Sequence, residues 1–161
     1  MGLGIWMDRD IIPPPIESAC FSEVLALPQP ARESGDVMDL QFNAQGLVPA
    51  IVQDIDSGSV LMMGWMNRQA VAATLSTGKA TFYSRSRNKI WVKGESSGHV
   101  QEVVEFRVDC DQDTVLLRCK SHGPCCHVGY QTCFYRAGTG GGDGLRFVEQ
   151  KVFDPESVYG T

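Results

Sequence analysis

The chain's 161 residues, 43% hydrophobic and 20% charged, point to one globular domain that can bury a core without disulfide staples. A net charge of -5 and a pI near 5.1 argue against general nucleic-acid or anionic-membrane binding, because such partners demand a basic face. No apolar run approaches the roughly 20 residues that span a bilayer, and residues 1–10 lack a basic region followed by an apolar one, so a cytoplasmic protein is expected. Six cysteines with no export signal point to metal or redox use before disulfides.

Residues 1–38 carry Pro13, Pro14, Pro15, Pro28 and Pro30 and no sustained period. They read as an extension packed loosely on the surface, with at most one short helix around 17–25. Regular patterning begins at Leu47, with a strand over 47–53, a turn at Asp56-Ser57-Gly58 and a returning strand over 60–66. Asn67 is placed to cap a helix over 68–77, whose Val71, Thr74 and Leu75 share a face, and Gly78 to end it. Met62, Met63, Trp65 and Met66 then fill the space between sheet and helix.

A strand over 80–84 leads into the basic turn Arg85-Ser86-Arg87-Asn88-Lys89. Two guanidinium forks beside serine hydroxyls suit phosphate oxygens, so this turn is a candidate anion grip. A short strand over 90–93 runs into Gly94-Glu95-Ser96-Ser97-Gly98, a polar loop between two glycines. Residues 100–111 alternate. Val104, Phe106, Val108 and Cys110 fall on one face and Glu105, Arg107, Asp109 and Asp111 on the other, which turns Cys110 away from its neighbouring aspartates. After a turn at Gln112-Asp113, a further strand covers 114–120, with Cys119 as a small core or edge residue.

Residues 125–134 are expected to form a short helix or turn, bringing Cys126 and Cys133 to one side. The five glycines in 138–144 lack the lysine-serine or lysine-threonine ending of a phosphate loop and read as a flexible surface loop. A last strand covers 145–152. The whole makes an α+β domain, mainly antiparallel strands and hairpins with one main helix. Residues 1–38 form an extension, 39–137 the core, and 138–161 a glycine-rich loop and C-terminal strand of the same domain.

Asp109, Asp111 and Asp113, interleaved with Cys110 and followed by Cys125, Cys126, His127 and Cys133, combine hard oxygen and soft sulfur ligands. The aspartate spacing lacks the glycine and glutamate of a calcium loop and suits magnesium better. The thiols lack paired finger spacing and suggest a catalytic zinc site of three protein ligands and an open position. Cys110, Cys126 and Cys133 could supply them, but spacing leaves Cys125, Cys119 and His127 equally open.

Trp91-Val92-Lys93-Gly94-Glu95-Ser96-Ser97-Gly98, then Gln101, the aspartate run 108–113, Gly123-Pro124-Cys125-Cys126-His127 and Cys133-Phe134-Tyr135 together resemble the phosphoribosyl-AMP cyclohydrolase family of histidine biosynthesis, over residues 47–136. The resemblance implies a cytoplasmic, intertwined homodimer that uses zinc and magnesium to open the purine ring of phosphoribosyl-AMP between N1 and C6. It implies magnesium on Asp109, Asp111 and Asp113. It also implies zinc on Cys110 of one subunit with Cys126 and Cys133 of the other, activating the water that attacks C6.

His127 is then the expected catalytic acid or base, and Arg85, Arg87, Trp91, Lys93, Glu95, Ser97 and Gln101 the expected substrate contacts. The preceding step would fall to a separate phosphoribosyl-ATP pyrophosphatase, because too few residues follow the glycine loop for a fused one. Cys125 departs from the family pattern by adding a vicinal thiol. The rival expectation is a structural zinc-binding interaction module without turnover.

Overall fold

The computed structural model describes residues 28–160. The helix expected around 17–25 lies outside them. The chain runs α1 (Gln29–Ser34), β1 (Val48–Asp54), β2 (Val60–Met66), α2 (Arg68–Thr77), β3 (Thr81–Ser84), β4 (Lys89–Val92), β5 (Gln101–Val108), β6 (Val115–Ser121), β7 (Arg136–Gly138), β8 (Leu145–Phe147) and α3 (Pro155–Tyr159). Strands outweigh helices, as the patterning anticipates, and among the described residues α2 is the helix that reaches the core.

Four strands form the main sheet in the order β2-β1-β6-β5. The β1–β2 and β5–β6 pairs are antiparallel, but β1 and β6 run parallel. A parallel pair needs a long crossover, and residues 55–114 supply it, carrying α2 and the separate β3–β4 hairpin across the sheet. Asn67 caps α2 by accepting from the Ala70 N–H at 2.8 Å, and Gly78 ends it in the left-handed region at φ 66°.

Val48, Val52, Leu61, Met66, Val115 and Leu117 form a dry core with Ala70 and Val71 of α2. Phe82 of β3 is fully buried there, worth about 1.5–3 kcal/mol for its side chain. It packs so closely on Gly64 that a Cβ at that position would lie 2.5 Å from the ring. Any side chain there would push β3 off β2, and with it the hairpin that carries Trp91, whose ring centroid lies 5.2 Å from that of Phe82.

Several expectations change. The strand placed over 100–111 ends at Val108, and its register slips between Val103 and Glu105, which leaves Val104 54% exposed. Because β5 ends at Val108 and Asp109 pairs with Thr114 to close the following turn, Cys110 and the aspartates stand on that turn and not on opposite faces of a strand. Residues 125–134 take the turn, the second of the two forms expected, and not the helix. The strand expected over 145–152 shrinks to β8, paired with β7, and is followed by α3.

Nor is the extension loose where it is described. Gln112, 4% exposed and at φ 60°, accepts from the Asp39 N–H through Oε1 at 2.7 Å. Its Nε2 donates to the carbonyls of Val37 at 3.0 Å and Arg32 at 3.4 Å, and its own carbonyl accepts from Gln41 N–H at 2.8 Å. Residues 32–41 are thereby strapped to the β5–β6 turn, a contact no local pattern announces.

Candidate active site

The β5–β6 turn gathers one set of ligands. Asp109 closes it, accepting from the Thr114 N–H at 3.0 Å through its carboxylate, while its own N–H donates to the Thr114 carbonyl at 3.1 Å. The ligand oxygens of Asp109, Asp111 and Asp113 all lie within 4.8 Å of one another. Opposed ligands on magnesium are about 4 Å apart, so small side-chain adjustments would let this donor set meet such a cation. Cys110 is exposed and does not join the cluster.

A second gathering lies at the opposite edge of the sheet. A cleft of about 580 Å³ is lined by Arg87, Trp91, Lys93, Glu95, Ser97, Cys125, His127 and Cys133, with Met62, Val92, Gly94 and Ser96. Three separate segments meet there. The β3–β4 hairpin brings Arg87 and Trp91, and the loop after β4 brings Lys93, Glu95 and Ser97. That loop turns at Gly94, at φ 86°, where a Cβ would lie 2.4 Å from the His99 carbonyl, so glycine is required.

The third segment is a tight loop after β6. The Cys125 N–H donates to the Gln131 carbonyl at 3.0 Å and the Cys126 N–H to that of Tyr130 at 3.1 Å. The Cys133 N–H then donates to the Leu61 carbonyl at 2.8 Å and the Thr132 hydroxyl to that of Val60 at 2.7 Å, which hangs Cys133 on the outer edge of β2.

The cysteine side chains are in mutual contact. The Cys133 thiol donates to Cys125, which together with the surrounding protein pushes the Cys133 thiol well up. Cys125, receiving that bond, is held below its ordinary value, against the effect of burial and with help from the Lys93 ammonium. Burial pushes Cys126 up. Cys119 takes no part. It is buried in the main sheet, and desolvation, then Asp54, pushes its thiol up to about 12.

Arg85 and Gln101 are the two expected substrate contacts that do not line this cleft. The Arg85 guanidinium lies over the Trp65 ring, 5.1 Å from its centroid. Gln101 is fully buried, its Nε2 donating to the Ser121 hydroxyl at 2.8 Å, with no partner for Oε1. Cys125, which spacing left open as a ligand, lines the cleft, and Gly94, marked by its sequence only as the bound of a polar loop, shapes that loop.

Cys110 is distant from the other thiols. It follows β5 at one edge of the sheet, whereas Cys133 hangs on β2 at the other. Three strand spacings put on the order of 14 Å between those edges. Two thiolates on one zinc can be at most about 4.6 Å apart, so one chain does not bring these three together.

An α+β domain with a polar, thiol-backed cleft at one edge of its sheet and a carboxylate cluster at the other has the make-up of a small-molecule enzyme. A family model described as phosphoribosyl-AMP cyclohydrolase matches residues 62–135. The phosphoribosyl-AMP cyclohydrolase of Alkalilimnicola ehrlichii is 56% identical over 120 residues, 74% of this chain and 83% of the relative. That of Chlorobaculum tepidum is 53% identical over 121 residues, 75% and 88% of the two chains, and that of Dinoroseobacter shibae 59% identical over 102 residues, 63% and 86%. The chain belongs to the phosphoribosyl-AMP cyclohydrolase family and is an enzyme.

Proposed function

We propose that this enzyme hydrolyses the N1–C6 bond of the purine ring of phosphoribosyl-AMP, a step of histidine biosynthesis in the cytoplasm. The observation that carries the reading is the cleft, which draws Trp91, Lys93, Glu95, Ser97, His127 and Cys133 into one wall from motifs far apart in the chain. Relatives 50–59% identical bear the name of that activity.

Zinc held by Cys126 and Cys133 with Cys110 of a second copy would supply Lewis acidity, and magnesium on Asp109, Asp111 and Asp113 would supply positive charge towards the substrate's phosphates. The distance between Cys110 and the other thiols supports a working homodimer, since the thiol set closes only between two copies. Trp91 offers its ring face to the purine, and Arg87 and Ser97 offer donors to phosphate oxygens at the cleft rim. Glu95 orients its loop by accepting from the Val92 N–H at 3.4 Å.

Arg85 and Gln101 would act from outside the cleft, Arg85 adding positive charge near its mouth and Gln101 holding the Ser121 end of β6. His127, exposed on the cleft wall, takes a proton from the attacking water and returns it to the departing N1. An ultraviolet assay of ring opening on phosphoribosyl-AMP, run beside elemental analysis, tests this. Turnover with bound zinc is expected. Zinc without turnover would favour a structural module, and a reducible disulfide without zinc a thiol redox protein.

A further inference from the structure

Lys93 is the only buried charged residue among the described residues, 8% exposed, and it lines the cleft. Among those residues its ammonium meets no carboxylate in ion-pair range and makes no hydrogen bond. Glu95, two residues on, is engaged with the Val92 N–H. A positive charge presented to a cleft without a carboxylate beside it is available to an anion that enters, whereas a neutral chain of the same length would line that wall without offering one. The site therefore makes sense when an anion arrives.

Position decides which anion. A phosphate group is large, heavily hydrated and best met at the rim, where Arg87 is exposed and Ser96 and Ser97 offer hydroxyls. Lys93 sits on the thiol wall instead, lining the cleft together with Cys125 and Cys133. His127 lines the same cleft.

We propose that Lys93 is a catalytic residue that neutralises the oxyanion formed on C6 of the purine ring as water adds. Resting on the hydrolytic reading above, it runs as follows. The water oxygen bonds to C6, yielding one proton to His127 and the other to the exocyclic nitrogen on C6, which becomes the amino group of the product. The C6–N1 bond breaks, N1 takes the proton held by His127, and the oxygen becomes the carbonyl of a carboxamide. Between these steps the oxygen on C6 carries negative charge, and the Lys93 ammonium faces it. A charge that matters only in the transition state lowers the barrier and leaves ground-state affinity nearly unchanged.

The test compares the zinc-loaded enzyme with Lys93→Met and Lys93→Arg in steady-state kinetics on phosphoribosyl-AMP, with zinc content and melting temperature measured on the same samples. For Lys93→Met we expect kcat to fall about 10²–10³-fold with KM shifted less than about threefold, zinc and melting unchanged, and Lys93→Arg to recover part of the rate. A raised KM with kcat intact would make Lys93 a ground-state grip and overturn the proposal. A rate loss that tracks zinc loss would overturn it as well. A wild-type enzyme that leaves phosphoribosyl-AMP intact would bring down the functional reading itself, and this proposal with it.

Discussion

The β5–β6 turn and the cleft hold the two halves of the proposed chemistry, and they are built in opposite ways. Asp109, Asp111 and Asp113 lie within five residues and are brought together by a single turn, so their cluster is local. The cleft draws on three segments spread from Arg87 to Cys133, held by Phe82 against Gly64, Gly94 against His99, and the Cys133 N–H on Leu61. A local cluster survives much sequence change elsewhere. An assembled one fails when any of its supports moves.

The comparison breaks most sharply at the thiols. Cys126→Ala should abolish bound zinc and ring opening together, by more than the roughly 10–100-fold that loss of an outer-shell partner alone costs. Retention of both, by elemental analysis and assay, would remove the cysteines from the site. The Cys110 distance gives a finer test. Cys110→Ser and Cys126→Ser should each be inactive alone, yet mixed subunits should recover about a quarter of wild-type activity, because half the dimers are mixed and each holds one intact site. Failure to complement, with dimer exchange verified, would confine each site to one chain.

The local half should respond more mildly. Asp111→Asn with Asp113→Asn should raise the magnesium concentration needed for half-maximal rate by at least about tenfold, read in a metal titration of kcat. An unchanged titration would detach magnesium from the turn. The smallest effect is expected at Gln112→Ala, which removes the three side-chain hydrogen bonds that strap residues 32–39 to that turn. Stability should fall by about 1–3 kcal/mol in denaturant unfolding, since buried backbone groups lose their partners. A drop in magnesium affinity as well would show that even the local cluster leans on a distant segment.

Spacing and alternation made much of this legible. The 47–66 hairpin, the capped helix α2 and the aspartate trio all appear in the structure near where local pattern puts them, because turns, caps and short-range ligand clusters depend on neighbouring residues. The bulge at Val104 was not legible. Alternation counts residues and cannot tell which one the partner strand β6 leaves unpaired. Spacing left the place of Cys125 open for the same reason, since only the return of the chain at Tyr130 and Gln131 brings it against Cys133.

By itself, the sequence determined the candidate ligand types, the family, and the elements that carry them, because residue chemistry and short-range periodicity are written along the chain. Tertiary structure alone decided that Lys93 and Cys133 share a cleft, that Gln101 and Arg85 stand outside it, and that Gln112 holds an arm over 70 residues away in sequence. It alone put Cys110 at the far edge of the sheet. Those relations follow from strand order and register, above all from the parallel β1–β6 pair, which rests on long-range packing and has no short-range signature.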